Sequence, residues 1–300
     1  MDRSAMMREA QKLFTEVDDL PTIPTIVINV TSLLDNVDSD PAQIADMILS
    51  DQVLAARVIK VINSPLCRTT NKIPSVKQAL LFIGFKKIRE MILTSYFVGG
   101  FSQKEQSFDI QRFWIHSFSV GAISRRIAHL VGYPDLEKAY LAGILHDIGK
   151  VFLGHYCHEE YGRMLAGITN SSVTTHEAEC RTFGTTHCEI GLCLAQRWNF
   201  PSVYGEVISF HHKVEMATED VFLTSIVAIA DFYCLSHYTA HPVAQASVPG
   251  VSEEYSWHTL VEKSPDLKSS GLEHFLSDLD EEYEAICIEV AVLFSSIVND

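Results

Sequence analysis

The sequence predicts an all-α protein in which a smaller helical part precedes a larger one. Apolar residues recur at helical spacing along most of the chain, for example at Ile123, Ile127, Leu130 and Val131. The 300 residues are 47% hydrophobic, which is enough to build a sizeable buried core. No repeat or low-complexity tract interrupts the helical pattern, so we expect a folded globular chain.

Local signals mark where several helices begin and end. Asp40 offers an acceptor just before a first-turn proline, Pro41, and Ser75 with Gln78 three residues later fits a capping box. These signals predict helices that begin near residues 41 and 76. Candidate helix ends or close-packing points are the glycines at Gly84, Gly132 and Gly149.

Composition divides the chain into three parts. A break at residues 99–104 precedes the segment that contains His116, and a stretch rich in His, Pro, Ala and Ser runs from about 237 to 250. We therefore predict an N-terminal helical part at 1–103, a second domain at 104–236, and a polar, acidic, helical tail at 237–300.

The overall charge disfavours nucleic acid as a partner. The net charge is −15, and non-specific nucleic-acid binding depends on cationic side chains that displace counterions from phosphates. A local basic patch at Lys86, Lys87 and Arg89 is interpreted as a solvated helix face. Seven cysteines at irregular spacings, with no C-x-x-C pair, predict free thiols in a reducing cytoplasm.

Neither end of the chain predicts a membrane segment. Residues 1–9 lack the apolar core of a signal peptide, and the apolar run 285–298 is too short and is interrupted by Glu289. We expect a cytoplasmic protein with no membrane partner.

The most informative stretch is the apolar run 141–150, which contains His146, Asp147 and Lys150. Adjacent imidazole and carboxylate groups cost free energy to bury unless a partner compensates them, and a divalent metal suits both. Asp231 follows the run 221–230, which is apolar enough to be buried, so an unpaired carboxylate there would also be costly. These groups predict a common partner in the core.

Further histidines lie within or at the edge of other predicted helices, so several helices could direct side chains to one point, as in metal-binding bundles. The candidate metal ligands are His116, His146, Asp147, His187, His211, His212 and Asp231. This set contains imidazole and carboxylate but no thiolate. It suits iron, manganese, zinc or nickel and does not choose among them.

Each candidate ligand also has a purely structural interpretation. His116 could be a core histidine bonded to a backbone carbonyl, His187 could sit at a helix end, and the 211–212 doublet could be exposed. Asp231 could cap a neighbouring helix or pair with Arg112. Together, however, these interpretations require several coincidences, whereas one metal site accounts for every candidate.

Cysteines could offer a second type of ligand, but their spacing does not fit. Neither Cys188 with Cys193 nor the group His155, Cys157 and His158 has the spacing of a structural zinc site. We interpret them as packing or surface residues. Lys150 has two interpretations, a solvated helix end and a phosphate contact beside the metal.

The order of the candidates resembles the HD superfamily of metal-dependent phosphohydrolases. Its pattern of a histidine, a later His-Asp doublet and a distant aspartate is matched by His116, His146, Asp147 and Asp231. The remaining histidines look like the extra metal-binding histidines of HD-GYP cyclic-dinucleotide phosphodiesterases. Two features depart from HD-GYP: residues 213–220 carry no Gly-Tyr-Pro signature, and Arg112 stands where some of those enzymes have a metal-bridging glutamate.

Several other segments resemble the HDOD domain, an HD-related output module of bacterial signalling. In the N-terminal half they are Leu-Pro-Thr-Ile-Pro at 20–24, the segment 48–54 with Asn-Ser-Pro at 63–65, and the segment 73–80 with Ile-Gly at 83–84. Later they are Trp-Ile-His-Ser at 114–117, Leu-His-Asp-Ile-Gly-Lys at 145–150, Phe-Gly and then His at 183–187, and Arg-Trp-Asn-Phe-Pro at 197–201. The resemblance covers roughly residues 14–231, most of the chain.

The resemblance implies an HD-type helical domain preceded by a smaller helical subdomain. It also implies a bacterial signal-transduction module with a His/Asp metal site and a signalling protein as partner. The alternative is a metal-dependent phosphohydrolase or phosphodiesterase that acts on a nucleotide or other phosphoester, with Asp147 and Lys150 as catalytic residues. Because the charge of Arg112 would oppose a second cation, we expect one metal or none.

Overall fold

The computed structural model describes residues 2–15, 17, 30, 33–34, 39–50, 54–55, 58, 75–85, 88, 92, 108–168, 171, 173–237 and 255–298. Across these ranges the regular structure is helical and contains no strand, which confirms the predicted all-α class. The helices are α1 Arg3–Thr15, α2 Pro41–Leu49, α3 Val76–Ile83, α4 Ile110–Leu130, α5 Leu136–Leu145, α6 Ile148–Tyr156, α7 His158–Ile168, α8 Thr175–Phe183, α9 His187–Arg197, α10 Ser202–Phe210, α11 Val221–His237, α12 Tyr255–Lys263 and α13 Pro265–Val298.

The chain forms two compact units. The larger consists of Met1–Leu20 and Gln103–Glu284, and the smaller of Pro21–Ser102 and Ala285–Asp300. The domain boundaries that the sequence predicts, at residues 103 and 236, stay a prediction.

In the smaller unit, α2 packs against α3. The side chain of Asp40 accepts a hydrogen bond from the N–H of Ala42, and Ser75 accepts one from the N–H of Gln78, as the cap signals predicted. The buried face includes Ile44 and Leu80. Outside the described residues lie the HDOD-like segments at 20–24, 51–53 and 63–65, the break at 99–104, the basic residues Lys86, Lys87 and Arg89, and the segment 238–250.

In the larger unit, α4 packs along α5 and α11, and α9 packs against α6, α10 and α1. The core between them is filled by large apolar side chains such as Trp114, Phe118 and Phe152. Helix α11 is buried over most of its length, in agreement with its apolar sequence. This bundle positions the candidate ligands, which lie on α4, α9 and α11 and at the ends of α5 and α10.

Glycines allow two of these helix pairs to approach closely. A Cβ atom added at Gly143 of α5 would lie 2.7 Å from the Cα of Gly121 on α4. One added at Gly149 of α6 would lie 2.0 Å from the carbonyl oxygen of His187 on α9. Since real Cβ atoms do not come so near, both contacts require glycine. Gly149 is therefore a close-packing point, one of the two roles that we predicted for it.

Among the described residues, no helix is both long enough and apolar enough to cross a lipid bilayer.

Candidate metal centre

The structure brings all seven predicted ligands to one region of the larger unit. The positions that carry them are His116 on α4, His146 and Asp147 between α5 and α6, His187 at the start of α9, His211 and His212 directly after α10, and Asp231 on α11. Asp147, His146, His187, His211 and Asp231 are buried, His116 is partly exposed and His212 is exposed. Residues that lie far apart in the sequence therefore share one centre.

The two oxygens of Asp147 face different histidines. Its Oδ1 lies 3.2 Å from His187 Nε2 and 3.6 Å from His211 Nε2. Its Oδ2 lies 3.3 Å from His146 Nε2 and 3.8 Å from His116 Nε2. Asp147 thus stands between two groups of imidazoles.

Asp231 completes the second of these groups. Its Oδ1 lies 3.1 Å from His116 Nε2 and 3.5 Å from His146 Nε2. The ligand atoms of His116, His146 and Asp231 all lie within 4.8 Å of one another, as do those of His146, Asp147 and His211. Asp231 therefore lies with the candidate ligands, as the metal hypothesis requires.

Several buried atoms at the centre fit a metal because no hydrogen bond satisfies them within the described part of the chain. They are His146 Nε2, Asp147 Oδ1, His187 Nε2, His211 Nε2 and Asp231 Oδ1. Unsatisfied buried polar atoms are costly. Nitrogen and oxygen ligands that lie about 2.1 Å from one ion are about 3 to 3.5 Å apart, close to the separations between these atoms.

The other ring nitrogens hold the imidazoles in orientation. His146 Nδ1 lies 2.6 Å from the carbonyl oxygen of Gly143, and His211 Nδ1 lies 3.1 Å from that of Ile208. His187 Nδ1 lies 2.6 Å from a carboxylate oxygen of Glu179. Since carbonyl and carboxylate oxygens accept, each Nδ1 carries a proton, which leaves Nε2 as the nitrogen that a metal would take.

Burial and neighbouring charges shift the titration of these groups. Burial would raise the pKa of Asp147, but His146, Lys150 and His187 hold it well below its usual value. Burial would lower the pKa of His146, but Asp147 and Asp231 outweigh burial and raise that pKa to about 10. Burial keeps the pKa of His187 well below its usual value. Positive charge is therefore favoured between the two aspartates.

Lys150 lies on α6, one turn after Asp147. Its ammonium donates a hydrogen bond to Asp147 Oδ2 and forms an ion pair with it. The Lys150 side chain retains 21% exposure, so the ammonium lies at the edge of the centre. Arg112 lies one turn before His116 on α4, where its backbone N–H donates to Asp109 Oδ1 at 2.9 Å. The expectation of one metal or none stays a prediction.

Sequence reasoning missed Glu179, and it did not place Cys188 near the candidate ligands. Glu179 is fully buried on α8 and accepts hydrogen bonds from His187 and from the Tyr161 hydroxyl. The ligand atoms of His187, Cys188, His211 and His212 lie within 4.8 Å of one another, and Cys188, which the sequence predicts to be a packing or surface residue, is buried. The only sequence signal for Glu179 is its place eight residues before His187, and such a spacing does not indicate contact.

A family model of the HDOD domain matches residues 20–214 of the chain. A curated, uncharacterized protein of Treponema pallidum (strain Nichols) is 26% identical over 230 residues, which are 74% of this chain and 43% of that protein. The chain therefore spans less than half the length of this relative.

Solved structures share the fold. An HDOD domain protein with unknown function from Geobacter sulfurreducens is 29% identical, with a TM-score of 0.83 and coverage of 97% of this chain and 99% of that chain. A candidate phosphohydrolase from Shewanella amazonensis SB2B is 23% identical, with a TM-score of 0.71 and coverage of 95% and 98%. A candidate signal transduction protein from Marinobacter aquaeolei VT8 is 17% identical, with a TM-score of 0.75 and coverage of 97% and 66%. At these low identities the last two show a common fold alone.

Proposed function

The chain belongs to the HDOD domain family, and from that premise we propose that it is a bacterial signal-transduction module whose regulatory state depends on a divalent metal at the His/Asp centre. The observation that carries the proposal is the set of buried, unsatisfied imidazole and carboxylate atoms that face one point. The Lys150 ammonium beside them is ion-paired with Asp147 at the edge of the centre.

The buried charges suit one divalent cation. Asp147, Asp231 and Glu179 are buried carboxylates, and Lys150 is the ammonium paired with them. When the imidazoles are neutral, three carboxylates and one ammonium leave up to two negative charges in a region of low dielectric constant. One divalent ion would balance them. The imidazole and carboxylate atoms would accept iron, manganese, zinc or nickel.

A bound metal could regulate the chain because its ligands come from many helices. His116, Asp147, His187 and Asp231 lie on or beside α4, α6, α9 and α11. An ion that binds them would stabilise this arrangement of the bundle by its binding free energy. The occupied and unoccupied states would therefore differ in stability and dynamics, which a partner protein can distinguish.

We propose that the partner is a signalling protein that contacts the smaller unit. Three large apolar side chains of its described residues are exposed, with Leu49 on α2 at 55%, Leu81 on α3 at 65% and Ile288 on α13 at 60%. Exposed apolar side chains that form a contiguous patch are typical of surfaces that other proteins cover. The net charge of −15 disfavours nucleic acid in this role.

The second candidate function is hydrolysis of a phosphoester, and the position of Lys150 favours it. A bound divalent metal would supply a hydroxide by lowering the pKa of its water. His116 and Lys150 are the partly exposed members of the centre, with side-chain exposures of 18% and 21%. Lys150 would stabilise negative charge on the phosphoryl oxygens, and Asp147 would orient the reacting oxygen beside it.

Elemental analysis tests both functions on protein purified without a chelator or a His-tag. Asp147→Asn removes the charge shared by the two ligand groups, and Asp266→Asn removes an exposed charge as the matched control. We expect stoichiometric metal in the parent chain and in Asp266→Asn but none in Asp147→Asn. Metal in neither the parent nor the control would overturn the proposal.

The same preparations distinguish the regulator from the enzyme. They are screened with phosphomonoesters, nucleotides and cyclic dinucleotides. The regulatory function predicts no turnover above the Asp147→Asn background. Turnover that requires both Asp147 and Lys150 would instead establish the hydrolase.

A further inference from the structure

Cys188 lies beside the metal centre, in a cluster with three histidines. Each of four residues offers one ligand atom, and these atoms all lie within 4.8 Å of one another. The residues are His187, Cys188, His211 and His212. The cluster is drawn from two elements, the first turn of α9 and the residues after α10. We name these four residues the thiol cluster.

Burial and unsatisfied nitrogens point to a ligand in the thiol cluster. Cys188 is 1% exposed and His187 is 0% exposed. His187 Nε2 and His211 Nε2 lack a hydrogen-bond partner among the residues that the structure describes. His212 is exposed and its ring centroid lies 4.0 Å from that of His211, so the cluster reaches solvent at one side. An ion could therefore enter without unfolding the bundle.

A local cap fixes the backbone at Cys188. The backbone N–H of Cys188 donates to Thr186 Oγ1 at 3.3 Å, and Thr186 is the N-cap of α9. His187, the neighbour of Cys188, is held by Glu179 through both its ring and its backbone N–H. The backbone that carries the thiol and the His187 ring are therefore held in place before any ion arrives.

We propose that the thiol cluster binds a borderline divalent ion such as Zn²⁺ through the Cys188 sulfur together with imidazole nitrogens. This inference rests on the proposed metal centre, because His187 and His211 belong to both. When the ion binds, the thiol S–H bond gives its proton to solvent and the sulfur donates an electron pair to the ion, so no oxidant or reductant is needed.

The proposal divides the centre into two chemically different subsites. His116, His146 and Asp231 supply nitrogen and oxygen, which iron and manganese accept. The thiol cluster adds sulfur, which favours zinc over manganese or magnesium. The identity of the bound metal would therefore depend on Cys188, and a chain without this thiol would lose its preference for zinc.

Cobalt(II) provides a direct test, because a cobalt–thiolate bond gives a near-ultraviolet charge-transfer band that cobalt bound to nitrogen and oxygen lacks. The full chain, stripped of metal, is titrated with Co²⁺ and followed by absorption. Cys188→Ser and Cys188→Ala remove the thiol. Cys193→Ser is the matched control, since Cys193 is a buried cysteine of the same helix that contacts Met7 Sδ at 3.7 Å. Circular dichroism checks that each variant keeps its helices.

We expect the charge-transfer band in the parent chain and in Cys193→Ser, and its loss in both Cys188 variants while visible cobalt bands persist. Visible bands without the charge-transfer band in the parent chain would overturn the thiolate assignment and leave the metal centre standing. A charge-transfer band that survives in Cys188→Ala would also overturn the assignment. No cobalt binding in the parent chain would overturn both this inference and the proposed metal centre.

Discussion

Glu179 accepts two hydrogen bonds from His187, one from the ring Nδ1 at 2.6 Å and one from the main-chain N–H at 2.9 Å. The other Glu179 oxygen accepts from the Tyr161 hydroxyl at 3.0 Å. Burial raises the pKa of Glu179 to about 7, although Lys150 and these hydrogen bonds lower it. The carboxylate therefore fixes the direction in which His187 Nε2 faces Asp147.

Replacing this carboxylate should weaken metal binding without removing a ligand. Glu179→Gln keeps the shape of the side chain but accepts hydrogen bonds more weakly, so His187 becomes a poorer and less well oriented donor. We expect metal affinity to fall by about 10-fold to 100-fold, the range typical of residues that support a ligand. Competition with a chromophoric chelator measures the change.

Tyr161→Phe keeps the carboxylate of Glu179 and changes only how firmly that carboxylate is oriented. It removes one hydrogen bond to Glu179 and leaves both bonds to His187 in place. We expect a smaller loss of metal affinity than in Glu179→Gln. Equal affinities in all three proteins would show that Glu179 does not act on the metal through His187.

Removing the Lys150 charge should strengthen metal binding. The ammonium is paired with Asp147, a proposed ligand, so it repels a divalent cation at short range. We expect Lys150→Gln to bind metal at least as tightly as the parent chain. Isothermal titration calorimetry measures this, and Lys268→Gln is the control because Lys268 is an exposed lysine of α13. Weaker binding in Lys150→Gln alone would contradict the charge argument.

The contact between Gly149 and His187 predicts a steric effect on the centre. In Gly149→Ala the added methyl would lie 2.0 Å from the His187 carbonyl oxygen, so α6 and α9 must separate. We expect a loss of unfolding free energy of about 3 kcal/mol, at the upper end of the range for overpacked cores, together with loss of metal. Urea unfolding and metal analysis provide the measurements.

Gly167→Ala is the control for this substitution. Gly167 lies near the end of α7, and an added Cβ there would meet no described atom within 4 Å. Because alanine favours helix over glycine, we expect stability to stay equal or to rise by up to about 1 kcal/mol. A similar loss in both variants would mean that the effect of Gly149→Ala does not come from the contact with His187.

Much of the fold and the candidate centre could be predicted because they depend on local hydrogen bonds or on burial of charge that is strongly unfavourable without a partner. The caps at Asp40 and Ser75 depend on atoms two or three residues away, which the sequence displays directly. Asp147 and Asp231 can be recognised as candidates because a carboxylate in an apolar helix needs a partner. This signal can be read from a single segment of sequence, without knowledge of the tertiary contacts.

The positions of Glu179 and Cys188 at the centre could not be predicted because they depend on tertiary packing. Helix α8 also carries His176, Glu177 and Arg181, so its sequence is typical of a solvated surface. Packing buries Glu179 completely while Glu177 remains exposed. The spacing of Cys188 from Cys193 gives no sign of a metal site, whereas the neighbours of Cys188 at the centre include His211, which comes from another element.

The loop that precedes α11 depends on two acidic side chains. Glu206 accepts hydrogen bonds from the backbone N–H groups of Thr218 at 2.6 Å and Asp220 at 2.6 Å. Asp220 in turn caps α11 through the N–H of Leu223 and accepts from the Tyr133 hydroxyl at 2.7 Å. Burial is the largest single effect and opposes ionisation, but the hydrogen bonds together outweigh it and lower the pKa of both carboxyls. The ionised forms therefore hold the helix that carries Asp231.

Acid should destabilise this loop, and Glu206→Gln should make the stability of the protein depend less on pH. Because the folded pKa of Glu206 lies below its ordinary value of 4.5, the unfolded chain binds more protons in that range. The stability from Glu206 is thus fully present above that pH and is lost as pH falls through the folded pKa. Urea unfolding at several pH values should show a shallower decline for Glu206→Gln than for the parent chain. Glu215→Gln is the control, because it changes an exposed carboxylate in the same loop, and its unfolding free energy should fall with pH as steeply as that of the parent chain. Equal slopes in all three proteins would exclude this role for Glu206.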